Sequence, residues 1–289
     1  MLAPTLRTHL EQRLGLRIAD IQSIGGGDIH RAFRLSATSG QYLFLKTNTD
    51  PLAAAMFRTE SQGLALLGAS RSIRTPRVHA HGSTPDGHAY LVLEYVAPGY
   101  KNRLFWETFG QALANLHGNT SARFGFAHDN FIGRLPQSNT RHDTWVEFYA
   151  EERLWPQFLL AREQGYFDAV AEQQLDRLCR RLSWLCPDEP PALTHGDLWS
   201  GNYLCDAAGQ PVLIDPAASF AHREMDLAMS RLFGGFDPAF YLAYEAAWPL
   251  EAGFEKRMEV YQLYYLLAHV NLFGGGYVGQ AAEILRRWG

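Results

Sequence analysis

Apolar and polar positions alternate through the first fifty residues and then change period. Ile21 to Ile24, Ile29 to Leu35 and Tyr42 to Lys46 read as strands, separated by the turn Gly25-Gly26-Gly27-Asp28 and by Ser39-Gly40, with a short helix ahead of them. Together they predict a three-stranded antiparallel meander. The period of two puts Tyr42, Phe44 and Lys46 on one face of the third strand and Leu43 and Leu45 on the other. Beyond Asp50-Pro51 the period becomes helical from Leu52 to Leu67, with Met56, Glu60, Leu64 and Leu67 on one stripe. A carboxylate on an apolar face needs a cation, and Lys46 on the preceding strand is the nearest; otherwise Glu60 lies at the edge of the stripe in water. Two more strands, about Arg77 to His81 and Tyr90 to Tyr95, flank the turn Thr84-Pro85-Asp86-Gly87, giving a sheet of five strands with one helix.

Ala97-Pro98-Gly99 interrupts the pattern and divides the chain into a β-rich region, residues 1–96, and a mostly helical one, residues 97–289. Helical periodicity runs over Trp106 to His117, Asp143 to Gln164, Phe167 to Leu185, Phe236 to Tyr244, Phe254 to Phe273 and Tyr277 to Trp288. Only a short β segment, Leu204 with Val212 to Ile214 across Ala208-Gly209, interrupts these helices. The expected class is α+β. No internal repeat or low-complexity tract occurs.

Between Glu259 and Glu283 there is no charged Asp, Glu, Lys or Arg, yet Gln262, His269, Asn271 and the break at Gly274 to Gly276 leave too short an apolar run for a membrane span. The stretch suits a buried helix. The opening MLAPTLRTHLEQRLG has no apolar signal region, so the Asn119-Thr120-Ser121 sequon carries no expectation of glycosylation. With 26 basic against 30 acidic residues the formal charge is −4, so nucleic acid is not an expected partner. Cys179, Cys186 and Cys205 form no CxxC pair, which fits a reducing, cytoplasmic setting. A monomer or weak dimer is expected, away from membranes.

The passage Leu193 to Ala217 carries the chemistry. His195, Asp197, Leu198 and Asn202 match the kinase catalytic-loop spacing H-x-D-L-x-x-x-N, and Asp215 follows an apolar run, Val212-Leu213-Ile214. Phosphoryl transfer to a hydroxyl needs a carboxylate to orient and deprotonate it, oxygen ligands for Mg²⁺, and a cation on the non-transferred phosphates. Asp197, Asn202 with Asp215, and Lys46 supply them, and Glu60 can hold the lysine. Either motif alone is explained equally well as a turn at a strand end; their order along the chain, with Lys46 and Glu60 upstream, argues for a bilobal kinase arrangement. Gly25, Gly26 and Gly27 offer backbone without Cβ to a phosphate, although they do not spell the G-x-G-x-x-G kinase loop. The literal G-x-G-x-x-G at Gly274, Gly276 and Gly279 follows a helix near the C-terminus and fits no dinucleotide-binding unit. No P-loop motif is present. His222, Glu224 and Asp226, with His195 and Asp197, form a rival set of ligands for a metal-dependent hydrolase. Trp199 suits stacking on the acceptor, while His269 and Asn271 are either satisfied core groups or part of an acceptor pocket.

The segments HGDLWSGN from His195, IDPA from Asp215, REMDLAMSRLFGGF from Arg223 and YQLYYLLAHVNLFGGGY from Tyr261 resemble the fructosamine kinase family. DNFIG from Asp129, the series Gln137, Asn139, Trp145 and EERL from Glu151 extend the resemblance over nearly the whole chain. It implies a bilobal protein-kinase-like fold with residues 1–96 as the ATP-binding lobe and 97–289 as the catalytic and acceptor-binding lobe. It also implies ATP with Mg²⁺ and phosphorylation of the 3-hydroxyl of ribulosamines or fructosamines on glycated amines, free or protein-bound. The phosphorylated product then decomposes and frees the amine. Residue by residue, the resemblance makes Asp197 the base, Asn202 and Asp215 the Mg²⁺ ligands, Lys46 the phosphate-binding cation held by Glu60, and Glu94, Tyr95 and Val96 the adenine-pairing backbone. A phosphotransferase of aminoglycoside or choline type remains the alternative. Two departures stand out: the loop from Gly25 to His30 has no cysteine, so the redox control linked to one in some members is not expected, and Phe220-Ala221-His222 replaces the usual small-residue and Asp step before Arg223-Glu224.

Overall fold

A computed structural model describes residues 2–25 and 29–289. Gly26, Gly27 and Asp28 therefore lie outside the described residues, and Gly25 is exposed at their edge. The chain packs as two compact units, Met1–Phe105 with Leu204–Pro216, and Trp106–Tyr203 with Ala217–Gly289.

In the first unit α1 (Pro4–Leu14) begins on a proline, whose missing N–H costs nothing there, and ends on Gly15 in the left-handed region. Strands β1 (Ile18–Ile24), β2 (Arg31–Ala37) and β3 (Tyr42–Asn48) form the predicted antiparallel meander. Helix α2 (Ala53–Ala69) follows, started by Asp50, whose carboxylate accepts the Leu52 N–H at 2.8 Å. Then β4 (Val78–Ser83) and β5 (Ala89–Glu94) complete a five-stranded sheet of order β1-β2-β3-β5-β4. Alternation along β3 separates two cores. Leu43 and Leu45 join Phe33, Leu35 and Val92 beneath Leu6 and Leu10 of α1, while Phe44 packs with Leu91, Leu93, Phe57 and Leu64 on the side of α2. Lys46 shares the parity of Phe44 and so emerges on the α2 side.

The second unit starts within α3 (Arg103–His117) and continues through the hairpin β6 (Asn130–Ile132) and β7 (Leu135–Gln137). The helix predicted from Asp143 to Gln164 appears in three pieces: α4 (Trp145–Tyr149), a π-helical turn Ala150–Leu154, and α5 (Trp155–Glu163). Pro156 at the start of α5 cannot donate to the ladder, and the wider turn turns Arg153 inward. There the buried guanidinium bonds Ser138 O at 2.6 Å and Asn139 Oδ1 at 2.7 Å and lies over the Phe148 ring. Helix α6 (Ala169–Leu185), capped by Asp168, buries Ala171, Leu175, Leu178 and Leu182.

Next come β8 (Ala192–Thr194), β9 (Tyr203–Cys205), β10 (Pro211–Leu213) and β11 (Ser219–Ala221). Strand β11 pairs with β8 antiparallel, whereas β10 pairs with β9. From Leu204 to Pro216 the chain rejoins the first unit: Gly99 N bonds Cys205 O at 2.8 Å, Leu213 N bonds Arg74 O at 2.9 Å, and Arg74 pairs with Asp206 at 2.6 Å. Division by packing thus differs from the single division at residue 97 read along the sequence, because this return hairpin bonds the backbone of Arg74 and of Gly99.

Helix α7 (Glu224–Leu232) has no counterpart among the predicted helices. Its residues from Glu224 to Ser230 are all buried, so it shows no amphipathic stripe. Helices α8 (Pro238–Ala247), α9 (Phe254–Phe273) and α10 (Gly276–Trp288) close the chain. Helix α9 is buried on most sides by α5, α7 and α10, which accounts for its membrane-like composition. Among the described residues no helix is long and apolar enough to cross a membrane.

Phe57 is fully buried between α2 and the sheet. Phe57→Ala is expected to lower unfolding stability by about 3–5 kcal/mol in urea titration, against a change within about 0.5 kcal/mol for Leu242→Ala, an exposed position on α8.

Candidate active site

In the first unit Lys46 is 8% exposed, and its Nζ donates to Glu60 Oε1 at 2.8 Å and to Asp215 Oδ1. The parity of β3 and the stripe of α2 bring the first two together, as the sequence predicts. Burial works against the ammonium, but the adjoining Asp215 and Glu60 carboxylates outweigh it and hold Lys46 above the ordinary lysine range. Glu60 is driven the other way: burial, reinforced by Asp215, raises its carboxyl above the usual carboxylate range against the pull of Lys46. Asp215, at the end of β10, is the more exposed of the two carboxylates, and its φ of 55° lies in the left-handed region that few residues other than glycine occupy. Its carboxylate is thereby turned toward Lys46.

His30 adjoins this cluster, its ring tilted against that of Phe57 at 4.6 Å and within 3.0 Å of the Asn48 side chain. Burial and then the Lys46 charge bring its pKa down to about 4, so the ring adds no further positive charge. At the end of β5, Glu94 pairs with Arg74 and accepts the Arg77 N–H at 3.2 Å, while the Tyr95 ring lies 6.2 Å from that of Tyr42. Thus the Glu94 side chain is committed to Arg74 and the Arg77 N–H, and its own N–H donates to Arg77 O at 2.8 Å.

The second unit holds the loop that follows β8. The His195 and Gly196 N–H groups donate to the two oxygens of Asp226 at 2.7 and 2.8 Å. His117 approaches the same carboxylate at 3.2 Å and is itself bonded to Tyr244 OH at 2.7 Å. Burial alone would favour the protonated acid, but the bond from His117 and the other donors hold Asp226 below the usual carboxylate range. Gly196 adopts φ 81°, and a Cβ there would stand 2.2 Å from Ala217 O, so the loop crosses backbone where no side chain fits. Ala217 N in turn bonds His195 O at 3.0 Å.

Asn202 Nδ2 then donates to the backbone oxygen of Asp197 at 2.8 Å and to its Oδ2 at 2.9 Å. Both amide protons are spent on Asp197, which leaves the Asn202 carbonyl oxygen turned away from it. Behind it, Tyr203 is fixed by the rings of Phe109 at 5.1 Å and Phe236 at 5.0 Å. An amide carbonyl and a carboxylate such as Asp215 are the hard oxygen donors that Mg²⁺ takes, and each fits that use by its own local geometry.

Trp199 is 38% exposed, and its indole covers Gly201, where a Cβ would stand 2.3 Å from the ring. Asn271 proves to be a packing residue: its Nδ2 donates to Gln157 O and Oε1, both at 2.8 Å, and its Oδ1 accepts from Gln164, which ties α9 to α5. His269 is partly buried among aromatic rings, its Nδ1 bonded to Tyr265 O at 2.8 Å. The rival ligands disperse. Glu224 is gripped by Arg257, His222 bonds Pro187 O at 3.3 Å, and Asp226 serves the loop backbone. The one group of three potential ligands among the described residues is His142, Glu151 and Glu152, none of which belongs to that set. Asp226 and His117 were not legible as loop anchors, since neither stands near the loop in sequence nor completes a motif with it.

A family model described as fructosamine kinase matches residues 2–288. A probable ketoamine kinase of Synechocystis sp. is 42% identical over 98% of this chain and 95% of its own length. The chloroplastic protein-ribulosamine 3-kinase of Arabidopsis thaliana is 41% identical over 93% of this chain and 82% of its own. Among solved structures, one from Thermobifida fusca assigned as a fructosamine-3-kinase aligns with TM-score 0.88 and 34% identity over 99% of this chain and 98% of its own. An aminoglycoside phosphotransferase aligns with TM-score 0.65 at 18% identity over 97% and 98%, so the protein-kinase-like fold extends to that class.

His222 is fully buried, and burial keeps its proton affinity below the ordinary 6.5 despite Glu224 and Glu189 nearby. The unfolded chain therefore binds a proton below pH 6.5 that the folded one refuses, so this contribution to stability is whole above pH 6.5 and falls as the pH drops. Thermal unfolding between pH 7 and 5 is expected to steepen with acid in the parent protein. His222→Gln is expected to flatten that slope by up to about 1.4 kcal/mol per pH unit.

Proposed function

The chain belongs to the fructosamine kinase family, and from that membership we propose that it transfers the γ-phosphoryl group of ATP to the 3-hydroxyl of a ketosamine. The acceptor is a ribulosamine or fructosamine carried on a free or protein-bound amine. The phosphorylated ketosamine then breaks down and returns the amine, so the reaction reverses glycation in the cytoplasm. The observation that carries this reading is the Asp197–Asn202 pair, set in a loop whose backbone is bound by the buried Asp226.

Asp197 is the base: its carboxylate takes the proton of the acceptor hydroxyl as the phosphorus bond forms. Asn202 keeps Asp197 oriented through two hydrogen bonds and presents its carbonyl oxygen to Mg²⁺, and Asp215 supplies the second ligand. Bound Mg²⁺ neutralises charge on the phosphates. Lys46, kept charged by Glu60 and Asp215, binds the α- and β-phosphates, and Gly25, followed in sequence by Gly26 and Gly27, offers them a stretch without Cβ. Adenine pairs with the backbone of Glu94 to Val96. Trp199, exposed on Gly201, gives the sugar a face to stack on. Likeness to an aminoglycoside phosphotransferase rests on the fold alone and supports no acceptor.

ATP consumption with ribulose-lysine, fructose-lysine and an aminoglycoside tests the reading, with Asp197→Ala as the blank. Turnover confined to the ketosamines is expected, with kcat reduced about 10²–10⁴-fold in Asp197→Ala. Lys46→Ala is expected to raise the KM for ATP. Turnover of the aminoglycoside alone would move the chain to the other acceptor class.

A further inference from the structure

Four aromatic rings meet on the second unit beside the loop of Asp197. His269 lies 4.8 Å from Phe233, 5.6 Å from Phe273 and 5.0 Å from Tyr277, centroid to centroid. Phe233 and Tyr277 meet edge to face at 6.3 Å. Such clusters usually close a core, but Phe273 is 54% and Phe233 39% exposed. Two residues after Phe233 the chain meets the loop of Asp197: Gly235 O accepts the Tyr203 O–H at 3.0 Å, and Gly235 comes so close to Ser200 that a Cβ would stand 2.6 Å from it.

The chemistry of the cluster is one-sided. Ring faces are electron-rich and attract cations within about 6 Å. His269 adds to this, because its Nδ1 is bonded to the Tyr265 carbonyl and must carry the proton, leaving Nε2 as a bare acceptor. Burial holds the ring neutral, with its pKa below the ordinary 6.5. Among the described residues no Lys or Arg side chain lies over any of these four rings, whereas Arg31, Arg34, Arg153, Arg223 and Arg231 each cover rings elsewhere.

We propose that Phe233, His269, Phe273 and Tyr277 form a receptor for a dialkylammonium group, the protonated secondary amine of the acceptor together with its alkyl arm. The assignment rests on the ketosamine reading for the identity of the acceptor but not for the receptor itself. In a ketosamine the nitrogen is bonded to C1 and the reacting hydroxyl to C3, so a site for the nitrogen has to adjoin the loop of the base, as this one does. The rings would then recognise the glycated amine, and select it over a free ketose, while leaving the sugar to the loop.

The test separates the two claims. Binding of N-methylbutylammonium and of its uncharged analogue butyl methyl ether is followed by NMR on the intact protein, in the parent, Phe273→Leu, Phe233→Leu and Phe273→Tyr. The receptor predicts that the ammonium ion binds in preference to the ether, that this preference falls about tenfold in the Leu variants, and that Phe273→Tyr restores it. Unfolding temperature checks that each variant is folded. Equal binding of the two probes, no binding of either, or a loss in the Leu variants that is the same for both would overturn the proposal. A parallel assay of the parent with ribulose-lysine reports on the functional reading alone. If it fails while the ammonium preference holds, the receptor stands and its natural cation belongs to another acceptor.

Discussion

Asp226 accepts the N–H groups of His195 and Gly196 from inside the second unit, at a place where no water reaches it. A buried carboxylate of this kind is tolerable only when hydrogen-bond donors replace its hydration, and the donors here are the backbone of the loop itself plus His117. The dependence is mutual. The loop cannot relax without stranding the charge, and the charge cannot be accommodated without the loop in place. Everything that follows along the chain inherits that constraint, from the orientation of Asp197 to the Asn202 bonds and the seat of Tyr203 among its aromatic neighbours.

A different economy governs the first unit. Lys46, Glu60 and Asp215 meet around one ammonium, and burial raises the Glu60 carboxyl above the usual carboxylate range, so the Lys46 charge is matched chiefly by Asp215. Such an arrangement keeps a buried ammonium charged where a charged partner can still meet it. Arg223 and Arg257 show the contrasting case. Their bidentate pairs with Glu189 and Glu224, supplemented by carbonyls from residues 248–252, are fully matched and serve packing.

Where a simple period governs, the sequence was a good guide. The alternation in β3 and the stripe in α2 predicted that Lys46 and Glu60 would meet, since both sit on regular elements with one apolar side. The loop from His195 to Asn202 was legible as a spacing motif, because each residue type answers a separate chemical need. Helix α7 was not, for its charged residues are buried and matched to partners far along the chain, such as Arg257. The turn at Ala150–Leu154 was hidden for a related reason: Arg153 points inward to acceptors supplied by β11 and the segment after β7. Asn271 was ambiguous until Gln157 and Gln164 appeared beside it. Periodicity reports which side of an element is apolar, and it is silent about polar groups satisfied from a distance.

The backbone of Asp215 narrows what evolution can place at that position. A φ of 55° ahead of Pro216 admits glycine freely, and asparagine or aspartate at modest cost, while other side chains meet their own carbonyl. Of those three only aspartate carries a charge. Glutamate, the chemically conservative exchange elsewhere, is disfavoured here by conformation, at about 1–2 kcal/mol, rather than by reach. A descendant of this chain that keeps the fold without that cost has two choices at residue 215: to retain aspartate, or to give up the carboxylate altogether.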